Sequence, residues 1–365
     1  MRLLLVARRF PPDVRSGTET VFEKLYGLAR TRHEVRLVVG YRRGRDLVPP
    51  EAVAVDLMGC SPLEGWVRIL AAALKEEKRF RPDVVLGNSV EVHAVRSPLA
   101  LIIHDLNFGT AERGWKSRAR EMFYRRRCGR ADAVVAVSEA ARVSLERRGI
   151  RPGWLEVIHN GVDLEVFRPE DPVDSHGEGE STVHFACPSR ILPGKGQHLA
   201  LDALARLRRD YKTRAHLTIV GAVDDPIFRD QLLIQSYEQP ARILGEVSDL
   251  ASYYQQADVV VFPSLMEEGF GYTAVEAMAC GKPVIWFDQP AVREACGGIG
   301  MPVEMGDVDG LRKAMMTLMD DPDLRARLGA EGRAYVETHY QWDDVWSRYE
   351  SLLTQVAQKS RSAAE

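Results

Sequence analysis

Cysteine is scarce in this 365-residue chain, and what there is does not pair: Cys60, Cys128, Cys187, Cys280 and Cys296 are odd in number and include no Cys-x-x-Cys. That pattern excludes a disulfide framework or a zinc ribbon and suits reduced thiols. Long apolar runs are also missing. None reaches bilayer-spanning length, and the opening run, Leu3 to Ala7, is too short for a secretory core, so a cytoplasmic protein is expected. Neither charge is in excess. The 49 Lys+Arg against 52 Asp+Glu leave a net charge of −3, which gives no overall electrostatic footprint for nucleic acid. There is no internal repeat. What remains is an ordinary globular composition, 45% hydrophobic and 28% charged, in a chain long enough for two domains.

Short β-branched-rich runs alternate with longer helical stretches. Arg2–Ala7, Val35–Val39, Asp83–Leu86, Leu99–His104 and Asp132–Val137 read as buried strands, and Val21, Phe22, Leu25, Leu28 and Ala29 recur at helical spacing between the first two. The order then restarts with Val183–Pro188, Leu217–Val220, Val259–Pro263 and Val284–Phe287. Repeated strand–helix units predict parallel sheets covered by helices, hence two doubly wound α/β domains. Pro169–Thr182, rich in Pro, Gly, Asp and Glu and aperiodic, is expected to be a linker or exposed loop. The expected division is 1–168, a linker at 169–182, and 183–341. Trp342, Val345, Trp346, Tyr349, Leu352, Leu353 and Val356 mark one face of a final helix, about 342–358.

The segment Glu268–Glu276, EGFGYTAVE, follows a strand and opens a helix. Gly269 and Gly271 permit close backbone approach, and the first amides of the helix, at Gly271, Tyr272 and Thr273, form an anion site. Glu276, about one turn inside, can accept two hydrogen bonds from a ribose diol, and Glu268 can reach sugar hydroxyls. The plain alternative is a glycine turn with two solvated glutamates. Arg190 and Lys195 in PSRILPGKGQH follow the first strand of the second half and can converge on a diphosphate across a Pro-Gly turn, or stand as solvated loop charges. Pro11–Glu19, with Gly17, lacks the Gly-x-Gly-x-x-Gly of dinucleotide enzymes and is either a second set of phosphate-facing amides or a plain helix start. His104, beside Asp105 at the end of a strand, faces the crevice of such a sheet or is a structural histidine.

These pieces resemble the retaining glycosyltransferases of family four, whose GT-B architecture sets two facing Rossmann-like domains about a deep cleft. The likeness runs through PPxxxxGTE at Pro11–Glu19, HD at His104-Asp105, ADAVVAVSE at Ala131–Glu139, VIHNGVD at Val157–Asp163, R-x4-KG at Arg190–Gly196, IVG at Ile219–Gly221 and E-x7-E at Glu268–Glu276. One departure is Ser16, where many relatives have a glycine. The resemblance implies that Gly17, Arg190, Lys195 and the amides of Gly271, Tyr272 and Thr273 hold a donor diphosphate, with Phe270 in the same turn. It further implies Glu276 on the ribose, Glu268 on the sugar, Val247 in a loop beside the base and His104 near the transferred sugar. His104, Glu268, Arg190 and Lys195 are then the catalytic set. The final helix would cross back onto the first domain.

The reaction so implied moves a sugar from a UDP-, GDP- or ADP-linked donor to a hydroxyl with retention, for polysaccharide, glycolipid or natural-product synthesis. No cofactor or metal is called for. Asp307-Val308-Asp309 and Asp321-Pro322-Asp323 match Asp-x-Asp metal motifs superficially, but both precede helical runs and read as caps. An epimerase, a phosphorylase or a non-catalytic nucleotide-sugar binder would share the architecture. Ala111–Arg130 carries eight basic residues against two acidic ones, with Trp115, Met122, Phe123 and Tyr124 among them. It is either an amphipathic helix packed on its domain or a peripheral contact with anionic lipid, in which case the acceptor is lipid-linked or anionic.

Overall fold

A computed structural model describes residues 1–13, 17–88, 90–104, 115–170, 182–210 and 215–362. The chain forms two compact units, Met1–Gly161 with Trp342–Glu365, and Val162–Gln341.

The first unit holds a sheet of β1 (Arg2–Ala7), β2 (Glu34–Tyr41), β3 (Val53–Asp56), β4 (Val84–Gly87), β5 (Leu99–Ile103), β6 (Ala133–Ala136) and β7 (Leu155–Val157). All pairs are parallel, in the order β3-β2-β1-β4-β5-β6-β7. Helices α1 (Gly17–Arg32), α2 (Pro62–Phe80), α3 (Trp115–Cys128) and α4 (Glu139–Arg147) connect the strands. The central strands β4, β5 and β6 are buried along their whole length, as sheets covered on both faces require. The C-terminal helix, Trp342–Ser362, lies against α1, β4 and β5 and buries Val345, Trp346, Tyr349, Leu352, Leu353 and Val356. The apolar stripe read from the sequence is therefore core of the first unit.

The second unit repeats the plan with β8 (Val183–Pro188), β9 (Ala215–Val220), β10 (Ala241–Ile243), β11 (Val259–Phe262), β12 (Val284–Phe287) and β13 (Met301–Val303), in the order β10-β9-β8-β11-β12-β13 and parallel throughout. Its helices are α5 (Gln197–Asp210), α6 (Pro226–Gln235), α7 (Leu250–Gln255), α8 (Tyr272–Ala279), α9 (Pro290–Ala295), α10 (Val308–Asp320) and α11 (Pro322–His339). In each sheet the strand order reverses direction beside the first strand, between β1 and β4 and between β8 and β11. Loops leaving the carboxyl ends there splay apart and open a ligand crevice.

The boundary differs from the expected one. Val162–Arg168 belongs to the second unit: the Val162 N–H donates to the Tyr340 carbonyl at 2.9 Å, Arg333 donates to the Phe167 carbonyl at 2.9 Å, and the Phe167 ring meets Tyr254 edge-on at 5.7 Å. The second unit therefore begins ahead of the expected 169–182 linker. Residues 171–181 of that stretch, like Ser16 and Asp105, lie outside the described residues. Asp307 and Asp321 are helix caps, accepting from the amides of Gly310 and Leu324.

Candidate active site

The crevice of the second unit is built by the loops after β8 and β11. The first runs from Ser189 through a 3-10 turn, Pro193–Lys195, to Gly196, whose φ of +72° opens α5. Only glycine suits that position: a Cβ there would lie 1.9 Å from the Pro263 carbonyl oxygen. The second loop binds the first through its backbone, because the amides of Leu265 and Met266 both donate to the Gly194 carbonyl, at 2.8 and 3.1 Å. This clasp brings together Lys195 and Glu268, 73 positions apart, as an ion pair at 2.6 Å with both side chains largely buried (13% and 14% exposed).

Glu268 is held from two further directions. The Ser264 hydroxyl donates to the same carboxylate oxygen, and the Glu268 amide donates to Gln289 Oε1 at 3.2 Å. Gln289 is buried at the start of α9 and returns its own amide to the Ser264 carbonyl. On the other loop, buried Gln197 donates to Ser189 Oγ at 2.9 Å and to the Arg190 carbonyl at 2.8 Å. Arg190 itself is exposed and pairs with Asp224 at 2.6 Å, so it stands apart from the Lys195–Glu268 pair. Gln289 and Asp224 carried no sequence signal, since neither belongs to a motif and each acts through a partner distant in sequence, while Gln197, one residue past R-x4-KG, has only its polarity to mark it.

Helix α8 begins at Gly271, which caps it with φ +103°, and its opening amides bring the positive end of the helix dipole to the crevice. The Thr273 hydroxyl fastens this start to the end of β8 through the Pro188 carbonyl, at 3.0 Å. The Phe270 ring is buried edge-on between Tyr272 and Tyr340, both at 5.3 Å, so it anchors the turn and offers a ligand only its backbone. One turn along, half-buried Glu276 receives the hydroxyl of fully buried Tyr254 at 2.7 Å. Burial pushes its carboxyl up to about 7, against the lowering effect of the Tyr254 hydrogen bond. Val247, half-buried, lies in the loop after β10.

The remaining expected residues belong to the first unit. Gly17 is the first residue of α1. In the turn after β1 the buried carboxylate of Asp13 accepts the amides of Arg42 and Arg43 at 2.9 and 2.6 Å. His104 follows β5, and its Nε2 donates to Oδ1 of Asn88, just past β4, at 2.8 Å. Burial holds the imidazole down at about 3, so the ring is neutral and acts as a hydrogen-bonding group. In the basic segment, Phe123 of α3 stacks on Trp66 of α2 at 4.9 Å, and the Arg127 guanidinium covers Phe123 at 3.3 Å. That part packs on its own unit, while Met122, Arg125 and Arg126 stay exposed. Ala111–Gly114 lies outside the described residues.

Within the second unit, an ion-paired lysine, a helix start and a carboxyl one turn inside form a crevice with the chemistry to hold a phosphate and a diol. Known proteins agree in kind. Two relatives among those matched are mannosyltransferases. The first, a GDP-mannose-dependent monoacylated alpha-(1-6)-phosphatidylinositol monomannoside mannosyltransferase of Corynebacterium glutamicum, is 33% identical over 54% of this chain, which spans about half its length (55%). The second, a GDP-mannose-dependent alpha-(1-6)-phosphatidylinositol monomannoside mannosyltransferase of Mycolicibacterium smegmatis, is 29% identical over 96% of this chain and 98% of its own. Solved structures with the same fold include Anabaena HepE in complex with UDP and glucose (TM-score 0.78, 19% identity, covering 97% of this chain and 100% of that one). Another is sucrose-phosphate synthase from Thermosynechococcus elongatus (TM-score 0.81, 20% identity, 97% and 98%). Residues 16–166 match the Glycosyltransferase Family 4 domain and residues 182–321 the Glycosyl transferases group 1 domain, and on this GT-B fold the chain belongs to the glycosyltransferases of family four.

Proposed function

We propose that the protein transfers a hexose from a nucleoside diphosphate donor to a hydroxyl of a lipid-linked or anionic acceptor, with retention of configuration and without a metal. The observation that carries the reading is the clasped pair of loops at the β8–β11 switch point, which sets Lys195 and Glu268 together beside the opening of α8. Lys195, Arg190 and the amides of Gly271, Tyr272 and Thr273 would meet the diphosphate, Glu276 the ribose, Glu268 the sugar hydroxyls and Val247 the base. Gly17 and His104 would serve the phosphate and the transferred sugar.

Charge gathers on the leaving diphosphate as the sugar becomes oxocarbenium-like. Preplaced donors lower that barrier, one being worth ~10²–10³ in rate. A same-face route fits this set of residues: the glycosyl–phosphate bond breaks, the acceptor oxygen attacks the same face, and the departing phosphate takes the acceptor proton. The mannosyltransferase relatives favour GDP-mannose as donor and an inositol lipid as acceptor. The test is nucleotide release from a panel of UDP-, GDP- and ADP-sugars, with and without chelator, followed by anomeric analysis of the product. Turnover of one donor that survives chelation and yields the retained anomer is expected. A product of inverted configuration, or activity restored only by manganese or magnesium, would refute the corresponding part.

A further inference from the structure

Tyr254 lies outside every motif of the site, yet it makes the one hydrogen bond to the Glu276 carboxylate among the described residues. It comes from a separate element, α7, which Asp249 caps and which packs against α8 and β8. The ring is fully buried and braced edge-on by Phe167 at 5.7 Å. Its hydroxyl donates to Oε2 of Glu276 at 2.7 Å and leaves Oε1 uncommitted.

Among the described residues no cation takes over this task. Arg333 of α11, the helix packed on α8, spends its guanidinium on the carbonyls of Phe167 and Ala279 and on Glu337. Lys282, after α8, is drawn to Asp258 and Glu170. On α8 itself the neighbours of the pair are the neutral Thr273 hydroxyl and Cys280 thiol. A carboxylate turns easily about its last torsion, so a fixed donor on one oxygen decides where the other points.

We infer that Tyr254 is a positioning residue of the nucleotide site: it pins one oxygen of Glu276 and thereby presents the other to the ribose diol. This rests on the donor-site reading of Glu276, and the experiment separates the two. Calorimetric affinities of GDP, UDP and their 2′-deoxy forms would be measured for wild type, Glu276→Gln, Tyr254→Phe and the double variant. Wild type should favour the better ribonucleotide over its deoxy form by about tenfold. Tyr254→Phe should cut that preference to below about threefold while the deoxy form binds within about twofold of wild type, because the phosphate contacts are untouched. In the Glu276→Gln background the second substitution should change nothing further.

Equal losses for ribo and deoxy forms would make Tyr254 merely structural, and an unchanged preference in Tyr254→Phe would overturn its role outright. A preference that survives Glu276→Gln would instead remove the ribose assignment itself, as would a wild type that binds none of the four nucleotides. Should Tyr254→Phe fail to fold, Tyr254→3-fluorotyrosine keeps the size and strengthens the donor. The pH midpoint of ribonucleotide binding should then fall, and an unmoved midpoint would overturn the inference.

Discussion

A carboxyl that titrates near neutrality makes its ligand's affinity depend on pH. Burial raises Glu276 to about 7, and its protonated form offers the diol a weaker acceptor. A nucleotide that needs the ionised form drives a proton off, so its affinity should climb as pH rises from about 6 and level off above about 7.5. Calorimetry across that range would show the climb in wild type and not in Glu276→Gln; a fall in affinity with rising pH would contradict the assignment. Rate should depend more on Lys195 and Arg190. Lys195→Ala or Arg190→Ala is expected to lower turnover by ~10²-fold or more with the fold intact, as followed by circular dichroism. Wild-type turnover in either would remove that cation from the diphosphate. Lys195, Glu268 and Glu276 were legible in the sequence because each sits in a short motif just past a strand. Tyr254, Gln289 and Asn88 were not. Each is a polar residue away from those motifs, and its meaning comes from a partner that only the fold supplies.

At the level of elements, what positions Lys195 is a backbone shape more than a side chain. Gly196 combines a φ of +72° with a carbonyl where a Cβ would lie, 1.9 Å away. Gly196→Ala therefore faces the left-handed penalty of about 1–2 kcal/mol and must also part the two loops. Thermal unfolding should report a loss above about 2 kcal/mol, and turnover should fall with it because Lys195 and Glu268 separate. A variant of wild-type stability and rate would show that the clasp is not required. The central strands were readable because both faces are buried, which leaves uninterrupted apolar runs such as those of β5 and β11. The short edge strands β3, β7, β10 and β13 were not. They have three or four residues, each with half-buried or exposed positions, so β3, β7 and β10 mix polar with apolar and β13 is too short to show a pattern.

For the whole molecule, composition misleads in one respect: a net charge of −3 conceals a concentration of arginine on α3. The structure divides that segment. Phe123 and Arg127 are spent on Trp66, and Arg125 donates to the Arg148 carbonyl at 3.0 Å. Arg118, Arg126 and Arg130 remain exposed together with Met122, which is 68% exposed, and on α2 beside Trp66 the apolar Leu63 and Val67 are 69% and 60% exposed. Cations and apolar side chains on adjoining helices suit the boundary of an anionic bilayer, where each basic residue adds about 1 kcal/mol. Among the described residues no helix is long and apolar enough to cross a membrane, so any contact through these helices is peripheral. The protein should therefore float with vesicles rich in anionic phospholipid at low salt and detach from them as salt rises. Replacing Arg118, Arg126 and Arg130 with Ser should weaken flotation by about two orders of magnitude and spare turnover of a water-soluble acceptor analogue. Equal flotation with neutral vesicles, or flotation indifferent to the three substitutions, would mean that these arginines only solvate the surface of the first unit.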